Sequence, residues 1–317
     1  MRVVRGRCTR HDGDSPTDRV RLWARGVSYN LRGGRGLRRC VATTGAGRGL
    51  PQPCCNRVAA RAEVGEGLLV DELSSRAIGA AREALECFRN GPAYEVLDAD
   101  RDKFQVVYPL SAHVMEQVSA ALILIDAELC YPAESNARSA FQHAVTAQWV
   151  VLTEGGEDQV LAEMKRTHST TVEDFSLSVD LPDELLSVIG DRPKSQGPAR
   201  DFWWMCSRFS NDKALYVMFR RLSDSVHPSL RTFNEHLQAD DARGVFALSA
   251  RSSPEPEPDL LISLTIAAML ALSAVEGLRR GQTRMPAIRG IADRWQVPVD
   301  LRGDDLLADA GDGNQHG

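Results

Sequence analysis

Lysine is scarce in this 317-residue chain: 4 of its 38 basic residues are Lys and 34 are Arg. That bias is the mark of a GC-rich coding sequence. Cysteine is sparse too, with an odd count of seven and no Cys-x-x-Cys pair. A chain this long has no need of disulfide staples, so reduced thiols in the cytoplasm are the simplest expectation. No apolar core follows the basic first residues before Gly33–Gly34, so no signal peptide is visible. The longest apolar run, Leu260 to Val275, is interrupted by Ser263, Thr265 and Ser273. It falls short of the ~20 residues a spanning helix needs. A cytoplasmic protein with no membrane partner is expected.

The motifs of metal and nucleotide chemistry are missing as well. There is no phosphate loop, no His-Glu-x-x-His and no nucleophile elbow. A di-iron bundle would carry Glu-x-x-His on facing helices; here Glu163 and His168 are five apart, and Glu235 and His236 are adjacent. The Gly45-Ala-Gly47-Arg-Gly49 stretch has neither a strand before it nor a helix after it. Neither a cofactor nor a metal is expected.

Charge divides the chain. Residues 1–60 hold 13 Arg against Asp12, Asp14 and Asp18, a net of +10; the rest has 25 basic and 40 acidic residues, a net of −15. The leader, 1–61, alternates Arg, Gly, Pro, Cys and Ala with no sustained period. Three readings of it stay open. It could be an over-extended start, with Val64 marking the real one. It could be a disordered basic arm able to meet nucleic acid through charge. It could be a folded element, which would have to bury enough surface to offset backbone entropy.

What remains reads as helices. Apolar residues recur at helical spacing over 64–89, 110–129, 133–152 and 157–169. Residues 92–109 read as a connector with a short extended piece at Phe104–Tyr108, and Tyr131–Pro132 as a break. A loop is expected over Thr170–Asp180 and a short helix from Pro182 to Ile189. The aromatic cluster Phe202–Met205 stays open between helix and loop. Residues 212–226 carry the clearest stripe, Leu215, Met218, Phe219, Leu222 and Val226. A helix from Pro228 to Leu237 follows. Residues 251–258 read as a Pro/Glu linker, 259–279 as an apolar helix and 286–295 as a last short one. The expected architecture is all-α: a multi-helix bundle over 62–250, C-terminal helices over 259–300 packed on it, and a disordered acidic tail over 301–317.

One constellation bears on chemistry. At one hundred degrees per residue, Arg220 and His227 fall two turns apart on one face of the 212–226 helix, with Tyr216 and Ser223 beside them. An Arg can neutralise charge growing on a phosphoryl oxygen, and a His near its neutral pKa can move a proton. Tyr216 or Ser223 would orient either partner. Equally, a face of this composition suits a solvated helix, with His227 capping the break before Pro228. Arg138, Gln142 and His143 could join the same cleft from the 133–152 helix. Alternatively, Arg138 pairs structurally with Glu116 or Asp126.

The segment from Tyr216 to Pro228 resembles the Arg-x(4–6)-His signature of the HEPN superfamily of helical bundles. The segment Ala137 to His143, together with Leu222-Ser-Asp-Ser-Val-His-Pro228, is similar to an uncharacterised bacterial helical family over residues 65–280. The first resemblance implies a metal-independent ribonuclease of a toxin or phage-defence system, acting on RNA as a homodimer with two Arg-His pairs at a shared cleft. Its arginine would be Arg221 at five intervening residues or Arg220 at six, the helical angle favouring Arg220, and its histidine His227. The competing expectation is a non-enzymatic interaction or regulatory bundle with a small protein partner.

Overall fold

The computed structural model describes residues 74–301, apart from 92–93, 181, 191–197, 210–212 and 241–244. The leader and residues 302–317 of the acidic tail therefore lie outside the described residues, while Leu301, expected in the tail, is buried in the core. Helix α1 (74–89) buries Ala77, Ala80, Ala81, Ala84 and Leu85, a stripe at helical spacing. Gly79 sits under the Trp295 ring. A Cβ there would stand 2.5 Å from the indole, so only glycine permits this approach.

Helix α2 (Arg101–Asp126) overturns the expected connector. It begins nine residues before the expected start at Leu110 and runs through Pro109, so Phe104–Tyr108 is helical and not extended. Pro109 has no N–H to give the Gln105 carbonyl, a defect worth ~3 kcal/mol. Val106, Val107, Leu110 and Val114 are all buried on this stretch. At ~1.5–3 kcal/mol per buried aliphatic side chain, packing outweighs the local defect. The Phe104 and Tyr108 rings stack one turn apart, 5.4 Å between centroids.

Helix α3 (Cys130–Leu152) lies along α2. Pro132 is its third residue, where the N–H has no intrahelical partner to lose. The break expected at Tyr131–Pro132 instead falls at 127–129, where Glu128 takes a positive φ of 60°. The buried face of α3 is rich in alanine: Ala133, Ala137, Ala140, Ala144 and Ala147. Small residues there let both α2 and the central helix come close.

Helix α3 stops at Leu152, with Thr153 extended beyond it, shortly before the Gly155–Gly156 pair expected to end it; helix α4 (Gly156–Ser176) starts after Gly155, its N-cap at a φ of +64°. It continues through Thr170–Ser176, where a loop was expected. The Thr170 and Thr171 hydroxyls bond back to the Arg166 and Thr167 carbonyls, and Val172 is buried. Helix α5 (Asp183–Gly190) packs on α4. The aromatic cluster belongs to helix α6 (Phe202–Phe209), which buries Met205, Cys206 and Phe209. Helix α7 (Ala214–Ser223) crosses α3 and α6, and α8 (Leu230–His236) follows. The Ser229 hydroxyl caps α8 by accepting from the Thr232 N–H. A two-stranded antiparallel ribbon, β1 (Leu237–Asp240) and β2 (Val245–Leu248), sets Leu237 opposite Leu248.

Helix α9 (Pro258–Gly277) is the centre of the bundle, packed on α3 and α2. Every residue from Leu260 to Glu276 is buried. By length and composition alone it is apolar enough to cross a membrane; in the fold its surface is covered by protein. Its hydroxyl groups bond one turn back: Ser263 to Asp259, Thr265 to Leu261 and Ser273 to Leu270. Thr265 also reaches the Ala77 carbonyl of α1 at 2.8 Å. Helix α10 (Met285–Trp295) closes this end with Ile288, Ile291 and Ala292. Cys87, Cys130 and Cys206 are thiols; the other cysteines lie outside the described residues.

Candidate functional site

Helix α7 is amphipathic, and its apolar stripe decides what the other residues face. Leu215 and Leu222 are buried, with Met218 and Phe219 partly buried against the core. Arg138 of α3 reaches this seam. Its Nε donates to Ser223 Oγ at 3.0 Å, and its guanidinium lies 4.8 Å from the Phe219 ring centre. Ser223 in turn donates to the Phe219 carbonyl. Tyr216 lies beside Phe219, ring centres 6.2 Å apart. Arg138 thus meets α7 and not Glu116 or Asp126; Asp126 is held by Arg82 at 2.8 Å. No carboxylate among the described residues pairs with Arg138. Burial pulls its pKa below the ordinary guanidinium range.

Arg220 is exposed one turn before Ser223, and His227 is exposed as well. The helix does not carry them together. It ends at Ser223, and three successive i to i−3 bonds, from Asp224, Ser225 and Val226, tighten the chain beyond it. The two-turn register between Arg220 and His227 therefore stops short of the histidine, and Val226 leaves the apolar stripe. His227 contributes its carbonyl to Thr232 Oγ1 at 3.4 Å.

Gln142 is half-buried one turn along α3 from Arg138, and its carbonyl accepts from Thr146. His143 points elsewhere. Its Nδ1 donates to the Ser139 carbonyl at 2.7 Å, and its ring meets His113 of α2 edge-on at 4.8 Å. A cavity of about 390 Å³ opens beside this pair, walled by Pro109, Leu161 and Met164. Burial first, and the His113 charge after it, hold the His143 pKa down, against the Ser139 bond. The expected cluster is thus divided: Arg138, Tyr216 and Ser223 converge, while His143 faces α2 and α4.

No family model, curated protein or solved structure matches the chain. Function has to be argued from the geometry.

A second cluster was not read from the sequence. Arg221 Nε lies 2.6 Å from Asp259, and its Nη2 lies 2.9 Å from Glu257. Arg231 of α8 pairs with Glu134 of α3 and, at 3.2 Å, with Glu257. Five charges from α3, α7, α8 and the start of α9 thus lock one end of the bundle. Cys130 Sγ adds a bond to the Pro254 carbonyl, fastening the Pro/Glu segment. Glu134 is only 3% exposed, and burial lifts its pKa to about 7 despite Arg231. Burial raises Asp259 in the same direction. The sequence did hold a signal: Glu134 stands in the buried stripe between Cys130, Ala133 and Ala137. Arg221, the alternative to Arg220, is committed to this lock.

Proposed function

We propose that this protein is a non-enzymatic interaction bundle that docks a partner through α8 and the adjoining ribbon. The observation that carries the reading is apolar exposure: Leu230 is 82%, Phe233 63% and Leu248 80% exposed. Leu230 and Phe233 lie one turn apart on α8, and Leu248 stands opposite Leu237, the residue that follows the helix. Large apolar side chains exposed side by side, as Leu230 and Phe233 are one turn apart, mark association surfaces. The helix that presents them is fastened to α3 by Arg231 and by the bond between the Tyr131 hydroxyl and Thr232. A rigidly held apolar face suits docking. A second copy of the chain and a small protein are both suitable partners.

The test uses the full chain. Purified protein leaves a mixed RNA pool intact, with and without divalent metal. Leu230→Asp/Phe233→Asp abolishes association in sedimentation or co-purification while the melting temperature holds. RNA cleavage lost in His227→Ala would overturn the reading, and so would association unchanged in the double variant.

One observation favours the ribonuclease instead. Arg138, with no carboxylate beside it among the described residues, joins Ser223 one turn from the exposed Arg220. Two guanidinium groups on one seam suit a phosphodiester. On that reading Arg138→Ala and Arg220→Ala each weaken RNA binding, and His227→Ala removes turnover.

A further inference from the structure

The cavity beside His113 and His143, about 390 Å³, opens between α2, α3 and α4. That volume lies within the range of small-molecule sites. Its apolar wall is made by the buried Val106 and Leu110 and the exposed Pro109, Leu161 and Met164. Three polar side chains complete it: the Gln105 amide and the two imidazoles. Among the described residues, no carboxylate, lysine or arginine lines it. Glu163, Lys165 and His168 flank Met164 in the sequence of α4 and stay off the wall.

The two imidazoles act on each other. Their rings meet edge-on with centres 4.8 Å apart. Ser139 touches both: its carbonyl accepts from His143 Nδ1 at 2.7 Å, and its hydroxyl oxygen lies 3.5 Å from His113 Nε2. A carbonyl only accepts, so the neutral His143 ring carries its proton on Nδ1 and a lone pair on Nε2. A second proton can go only to Nε2. Burial, and to a lesser degree the neighbouring His113, favour the neutral ring. No carboxylate on the wall opposes that preference. A negative charge brought to the pair reverses it, because the imidazolium then makes a charge-assisted bond.

We infer that this cavity is a binding site for a small monocarboxylate with an apolar body, whose carboxylate bonds to the His113–His143 pair as the pair takes up a proton. One proton passes from solvent to His143 Nε2, which then donates to a carboxylate oxygen, and the apolar body lies against Val106, Leu110 and Leu161. The new ion pair offsets the hydration the carboxylate gives up. A cation would find no carboxylate on these walls, and a neutral apolar molecule would leave the pair unused.

The probes are 2-naphthoate and 2-naphthamide, which share shape and differ in charge. Titration calorimetry on the full chain at pH 6 gives saturable one-to-one binding of naphthoate and at least tenfold weaker binding of the amide. Naphthoate affinity falls at least fivefold from pH 6 to pH 8, and at pH 7 its binding takes up protons, read from the difference in heat between phosphate and Tris buffers. His143→Gln lowers naphthoate affinity at least tenfold and flattens its pH dependence. In wild-type protein with labelled methionine methyl groups, naphthoate shifts Met164 and leaves Met285, on α10, in place. That readout holds whether or not the histidine variant folds well. No saturable binding of naphthoate, equal binding of the amide, an affinity unchanged between pH 6 and pH 8, or a shift at Met285 in place of Met164 would overturn the inference.

Discussion

Glu276 holds Arg284 by both ends: one carboxylate oxygen accepts the Arg284 backbone N–H at 2.7 Å, and the other meets its Nε at 3.1 Å. The carboxylate is fully buried at the end of α9. The same guanidinium donates to the Cys87 carbonyl and the Tyr94 hydroxyl, so one side chain ties α1 and its following loop to the turn before α10. Arg279 stands 3.6 Å from the same carboxylate. Removing one member of a buried pair leaves the other without compensation, at ~3–5 kcal/mol. Glu276→Ala is therefore expected to lose that much in urea unfolding. Glu276→Gln, which keeps an acceptor for the Arg284 N–H, should lose less.

Stability should also depend on pH through Glu134. Its folded pKa, about 7, is above the ordinary carboxylate value because burial disfavours the anion. Arg231 and Arg221 oppose that shift, and Glu257 and Glu235 add to it. The folded state thus binds the proton more tightly than the unfolded chain. The contribution is fully present below the unfolded pKa and is lost as pH rises through about 7. Glu134→Gln imitates the protonated acid at every pH. Its stability relative to wild type should rise from pH 5 to pH 8 in parallel denaturant melts. A constant difference across that window would show that Glu134 does not titrate there.

The parts legible in the sequence were those where one period runs uninterrupted. The stripe of Leu215, Met218, Phe219 and Leu222 and the apolar run from Leu260 to Val275 both placed their helices well, because burial follows directly from such patterns. Local punctuation misled where packing opposed it. Pro109 reads as a boundary, yet Val106, Val107 and Leu110 hold the chain helical around it. The site was harder still. Arg138 and Ser223 are 85 positions apart, and no periodicity links them. The Arg220–His227 register assumed a helix four residues longer than α7. Arg221 was one of two candidates for the signature arginine, and its pairing with Glu257 and Asp259 comes from the start of α9, which no angle on α7 could reveal.

The seam between α3 and α7 offers a direct measure of Arg138. Its bond to Ser223 and its position over Phe219 together suggest about 2 kcal/mol, from ~1 kcal/mol for the hydrogen bond and ~0.5–1 kcal/mol for the ring contact. Arg138→Ala should lose that in urea melts. Arg138→Lys keeps the charge but neither the planar stack nor the Nε donor, and should recover less than half. A double-mutant cycle with Ser223→Ala should give a coupling of ~0.5–1.5 kcal/mol. Zero coupling would mean the bond contributes nothing to the packing of α7.

Leu270 decides whether α9 is a core helix or a membrane anchor. It is fully buried, midway between the helix ends, and its carbonyl accepts from both Gln148 and Ser273. The bundle supplies the apolar surroundings that a bilayer would otherwise provide, through Ala-rich α3 and through α2. Leu270→Ala leaves a cavity and should cost ~2–5 kcal/mol. Leu270→Asp should cost more, since a carboxylate there would lose its water with no cation facing it among the described residues. In a lipid-facing helix the alanine change would matter little to folding, because lipid would fill the space. The two cases separate on fractionation. Wild type is expected in the supernatant after ultracentrifugation without detergent, Leu270→Ala there with a lowered melting temperature, and Leu270→Asp aggregated or degraded. Recovery of wild type only from detergent-extracted membranes would make α9 an anchor and overturn the assignment of Leu270 to a protein core.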